Sequence, residues 1–141
     1  MIFDNLFQLM AEKKASDIFI TAGTPILTDG AMGTTLHQHD IPIDACFDEL
    51  NLSRPELIAA VHASFLAAGA ELLKTNTFGA NRYKLARFGL ETQVGAINAA
   101  GVALARRAAA ETARPELYVA GSVGPLGVRL RPYGRVSPED A

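Results

Sequence analysis

Apolar residues recur at helical spacing near the start of the chain. Phe3, Leu6, Phe7 and Met10 precede the polar Glu12, Lys13 and Lys14 and predict a short amphipathic helix over residues 2–14. Ser16 and Asp17 break that pattern. Ile18, Phe19, Ile20 and Thr21 then read as a strand, ended by Ala22-Gly23-Thr24-Pro25. From Ile26 the pattern changes to one unit repeated about three times: a short strand, a loop rich in Gly, Asn and Thr, and a helix. Such alternation predicts an α/β fold built on a parallel sheet.

In the first unit, Ile26-Leu27-Thr28 runs into Asp29-Gly30-Ala31-Met32-Gly33-Thr34, and a long polar connection leads to a helix near Ser53. Ser53-Arg54-Pro55-Glu56 fits a capping box, in which the serine accepts from an early backbone N–H and the glutamate reaches back. Leu57, Ile58, Val61, Phe65 and Leu66 form the apolar stripe, and Gly69 can end the helix in a left-handed conformation. The second unit has a strand over residues 71–75, a loop Asn76-Thr77-Phe78-Gly79-Ala80-Asn81 and a short helix over residues 82–88 ended by Gly89. Val94, Ile97, Gly101 and Val102 mark a further helix to about Thr112. Its two glycines cost stability unless they allow close packing. The third strand, residues 117–120, opens into Gly121-Ser122-Val123-Gly124-Pro125, and the chain is loop-like from there to Ala141.

Composition narrows the function classes. Apolar residues at 49% and charged residues at 20% argue against disorder, and with a net charge of −2 they argue against a charge-driven nucleic-acid or membrane-surface binder. Cys46 is the single cysteine, so no internal disulfide forms and nothing marks an oxidising compartment; a cytoplasmic location is the default. The acidic start and the lack of a long apolar run predict neither a secretory signal nor a membrane span.

In parallel α/β folds, ligands bind beyond the carboxyl ends of the strands. Three loops occupy that place: residues 29–34, residues 75–79 and residues 121–125. Together they offer the carboxylate of Asp29, several hydroxyl and amide groups, and glycines that let a ligand approach the backbone, a set suited to a small zwitterion with Asp29 facing an ammonium. The plainer reading is that strand ends need glycine to turn and that Asp or Asn bonds its own backbone. The glycines of the first loop lack G-x-G-x-x-G spacing, and no phosphate-binding P-loop occurs. His37, His39 and Cys46 could be read as metal ligands but match no common zinc spacing, and the two histidines read as solvated loop residues; His62, beside an apolar stripe, reads as a packing residue. Arg82, Lys84, Arg87, Arg106 and Arg107 read as solvated helix faces.

Asp29-Gly30-Ala31-Met32-Gly33-Thr34 and Asp44-Ala45-Cys46-Phe47-Asp48-Glu49-Leu50-Asn51 resemble the opening of the homocysteine S-methyltransferase family. Ala68-Gly69-Ala70-Glu71, Thr75-Asn76-Thr77-Phe78-Gly79-Ala80-Asn81 and Ala120-Gly121-Ser122-Val123-Gly124-Pro125-Leu126-Gly127 follow in the family's order, most similar to its bifunctional branch with methylenetetrahydrofolate reductase. The resemblance covers residues 26–141 and implies an incomplete (β/α)8 TIM barrel, about the first three of its βα units, preceded by a short helix-strand segment. It implies homocysteine and a methyl donor as substrates, with methionine as product. It also implies a zinc ion held by three cysteines of later strands, which activates the thiol. With Cys46 alone, tight zinc binding by this chain is not expected.

The substrate-side residues that carry over are Asp29, Gly30, Ala31, Thr75, Asn76, Thr77 and Ser122, with no catalytic or metal-binding residue among them. An unclosed barrel predicts self-association through its open edge, or an inactive fragment. Residues 1–25 form a separate segment similar to the amino terminus of type IV pilus retraction ATPases, which suggests a fusion near Pro25-Ile26 and, as a lesser alternative, a pilus-associated interaction module.

Overall fold

A computed structural model describes residues 18–20, 25–114 and 116–140. The helix expected over residues 2–14 lies outside them. Strand β1 (Ile18–Ile20) pairs antiparallel with β2 (Pro25–Leu27), in the register Ile18 to Leu27 and Ile20 to Pro25. Strand β3 (Leu72–Lys74) pairs parallel with β4 (Tyr118–Ala120). A parallel bridge between Thr28 and Leu72 joins the two pairs, with Asp29 N–H donating to Leu72 O at 2.9 Å and Glu71 N–H to Leu27 O at 2.8 Å. The strands β2, β3 and β4 are therefore neighbours in chain order, as the repeated unit predicts.

Between β2 and β3 the chain forms α1 (Met32–Gln38), α2 (Leu50–Ser53) and α3 (Pro55–Ala67). The first two were not expected. Gly33, Thr34 and Thr35 are poor helix formers, and α1 buries only Leu36, too little for a readable stripe. The capping box at Ser53 does not form. Ser53 is the last residue of α2 and its hydroxyl donates to Glu49 Oε2 at 2.8 Å, so Arg54 takes the N-cap position and Pro55 starts α3. Proline suits that place because its missing N–H needs no partner there. At the other end Gly69 has φ of +104°, while Gly69 N–H donates to Leu66 O and Ala70 N–H to Phe65 O, the paired bonds of a Schellman stop.

Between β3 and β4 come α4 (Arg82–Leu85), one 3₁₀ turn to Phe88, and α5 (Val94–Ala110). The side chain of Asn81 caps α4 by accepting from the N–H groups of Tyr83 and Lys84, and Gly89 at φ +71° ends the turn. Helices α3 and α5 pack on each other and on the sheet. Ile58, Val61, Phe65 and Leu66 from α3 meet Leu73 from β3 and Leu104 and Ala108 from α5. Each fully buried aliphatic side chain there, such as Ile58 or Leu73, contributes about 1.5–3 kcal/mol. After β4 the chain is largely loop, with one bridge between Leu130 and Val136 and a 3₁₀ turn at Pro138–Asp140.

Candidate substrate site

The parallel arrangement carries the three loops to one end of the sheet, where they enclose a cavity of about 460 Å³. Asp29, Gly30, Ala31, Thr75, Asn76, Thr77 and Ser122 all line it, beside Met32, Gly33, Phe47, Asp48, Lys74, Phe78 and Gly79. Asp29 is 2% exposed. Its Oδ2 accepts from the backbone N–H of Lys74 at 2.9 Å, and its Oδ1 lies 3.6 Å from Lys74 Nζ. The acid therefore meets a cation of this chain before it meets any ligand.

The hydroxyls of the second loop are committed to the third. Thr77 Oγ1 donates to Ser122 O at 2.9 Å and lies 2.7 Å from Thr75 Oγ1, which in turn accepts from Ser122 N–H at 2.9 Å. With the Thr77 proton spent on the carbonyl, Thr75 must donate to Thr77, so neither hydroxyl has a proton left for a ligand. These bonds latch the β3 loop to the β4 loop.

Asn76 is placed by a residue to which the sequence assigned no role. Asn51, 2% exposed in α2, donates to Asn76 O at 2.7 Å and to Ile97 O at 3.2 Å. Asn76 Nδ2 returns a bond to Asn51 Oδ1 at 3.1 Å and donates to Phe47 O at 2.7 Å. This buried amide pair ties α2, the β3 loop and α5 together. Gly101 makes room for it, because a Cβ there would stand 2.8 Å from both Asn51 Nδ2 and Thr77 Cγ2. The cue available in the sequence was Asn51 set between Leu50 and Leu52, a weak one until the fold is known.

Asp48 is the cavity's second acid. Its Oδ1 accepts from Gly79 N–H at 2.8 Å, and burial pushes its carboxyl pKa up despite that bond and the nearby Lys84. His62 is fully buried on α3, and burial lowers its pKa to about 4. His37 and His39 are exposed, and His37 Nδ1 lies 2.9 Å from Ile41 O. Zinc does not fit the donors present: among the described residues no three His, Cys, Asp or Glu side chains come together. Burial also raises the pKa of the Cys46 thiol, away from the thiolate a metal needs. Among the described residues no helix is long and apolar enough to cross a membrane.

The homocysteine S-methyltransferase family model matches residues 26–141. The chain belongs to that family. Two members, the methionine synthases of Mycobacterium tuberculosis and Mycobacterium leprae, are 37% and 36% identical to it over 114 residues, covering 75% of this chain. Among solved structures, the metallated homocysteine methyltransferase MmuM from Escherichia coli superposes with a TM-score of 0.63 at 36% identity over 71% of this chain. The oxidised form of the same enzyme gives 0.62 at 35%. The chain spans 10% and 9% of the two methionine synthases and 38% of the E. coli enzyme. These matches lend no support to the likeness of residues 1–25 to pilus retraction ATPases.

Proposed function

We propose that residues 26–141 form the first three βα units of a homocysteine methyltransferase barrel and hold the amino-acid end of homocysteine, without completing methyl transfer in this chain. Residues 1–25 are then a separate segment joined to it near Pro25-Ile26. The observation that carries this reading is the convergence of all seven substrate-side residues on one cavity at the carboxyl ends of β2, β3 and β4. Asp29 supplies negative charge toward a substrate ammonium, Gly30 lets the ligand lie close to the backbone, and Asn76, fixed by Asn51, shapes the floor. Thr75, Thr77 and Ser122 hold the wall in place through their own bonds.

The described donors do not build a zinc site, so no thiol activation is assigned to them. In relatives that hold zinc, the metal would lower the thiol pKa and so supply the thiolate. The open edge of β4 is the surface through which such a partial barrel self-associates.

Titrating the 141-residue chain with L-homocysteine by calorimetry, and assaying methionine after adding zinc and a methyl donor, tests both halves. Binding without methionine is the expected result. No binding overturns the site, and methionine formed at catalytic turnover overturns the noncatalytic reading.

A further inference from the structure

Lys74 is the last residue of β3, and among the residues lining the cavity it is the only cation. Its ion pair with Asp29 has a closed end and an open one: the Asp29 side chain is 1% exposed, while that of Lys74 is 32% exposed. The parallel register sets Lys74 beside Ala120 of β4, whose methyl group adds little bulk next to the lysine. An amine entering such a site gains little, because the charge of Asp29 is already balanced by Lys74. A zwitterion gains more. Its ammonium and carboxylate oxygens lie roughly 3 Å apart by covalent geometry, close to the 3.6 Å between Asp29 Oδ1 and Lys74 Nζ. Laid along the pair, it completes a ring of four alternating charges, with charge-assisted hydrogen bonds at both ends.

We propose that Lys74 binds the α-carboxylate of the substrate, so that the Asp29–Lys74 pair selects α-amino acids over simple amines. This rests on the reading of the cavity as an amino-acid site and adds to it a specificity-determining residue. The lysine keeps its flexible stem and three donors, so it can swing part of its bonding from Asp29 to the ligand without leaving the acid unbalanced.

The test compares two ligands on the full chain: L-homocysteine, and 3-aminopropane-1-thiol, which is homocysteine without its carboxylate. The unaltered chain should prefer homocysteine by about tenfold or more, the scale of one charge-assisted hydrogen bond. Lys74→Gln should abolish the preference and Lys74→Arg should retain it. If the unaltered chain binds neither ligand, the cavity reading itself fails. If it binds homocysteine and Lys74→Gln keeps the preference, or weakens both ligands by the same factor, Lys74 merely supports Asp29 and this inference alone is overturned. A readout that needs no variant is the NMR signal of the Lys74 ε-methylene: it should shift with homocysteine and stay in place with the aminothiol, and equal response to both would also overturn the assignment.

Discussion

His62 shows how burial turns a side chain into a pH-dependent contribution to stability. Its ring is fully enclosed, and neither nitrogen finds a hydrogen-bond partner among the described residues, so the neutral form is held and the pKa falls to about 4. An unfolded chain has the ordinary value of 6.5. As pH drops below 6.5 the unfolded state takes up a proton that the fold refuses, and stability is lost progressively until the folded ring also protonates near pH 4. The loss attributable to His62 is about 3 kcal/mol. Asp48 acts in the opposite sense, because its raised pKa lets the fold bind a proton before the unfolded chain does. Urea unfolding of the original chain and of His62→Leu between pH 7 and 4 isolates the histidine: the difference between the two profiles should shrink by about that amount if the packing role is right, and parallel profiles would sink it. The sequence already placed His62 beside the apolar stripe. At the same scale it named seven residues that line one cavity, yet it could not reveal that Thr75 and Thr77 spend their protons on each other and on Ser122, because residue identity carries no hydrogen-bond direction.

Among the elements, those with an apolar stripe or run were legible, the three-residue strands and short α4 included, and α1 and α2 were not. Helices α3 and α5 and the strands β3 and β4 fall within one to three residues of their expected bounds, because each presents a stripe or run that only one kind of element can bury. Helices α1 and α2, of 7 and 4 residues, bury too little to leave such a mark, and Ser53 was misread as a cap because the preceding turn is itself helical. The two glycines of α5 now separate. Gly95 has nothing within 4 Å of its missing Cβ, whereas Gly101 is pressed against Asn51 and Thr77. Gly95→Ala should stabilise the chain by about 0.5–1 kcal/mol through helix propensity alone. Gly101→Ala should destabilise it by about 1–3 kcal/mol, as overpacking does. Thermal melts of both variants check this, and a Gly101→Ala protein as stable as the parent would mean that the Asn51 network tolerates displacement.

For the whole molecule, the parallel order β2-β3-β4 follows from the repeated unit, whereas the antiparallel partner of β2 does not, since nothing in residues 18–20 specifies where they pair. At the β4 end Tyr118 is 56% exposed and Val123 91% exposed, leaving apolar surface beside an edge that no strand among the described residues pairs. Sedimentation velocity should therefore show concentration-dependent association, and Tyr118→Lys on that edge should lower it, since an edge charge discourages pairing. Association unchanged by the substitution would place the contact elsewhere. At the β2 end the situation differs. Leu27 turns both its backbone groups toward Glu71, its N–H to Glu71 Oε2 and its carbonyl to Glu71 N–H, so β1 runs along the opposite side of β2. That side is where a closing strand of a full barrel would have to bond. If these units belong to a barrel, its closure is an exchange reaction: the strand that bonds this side of β2 must first evict β1, at a speed governed by how often those three residue pairs come apart.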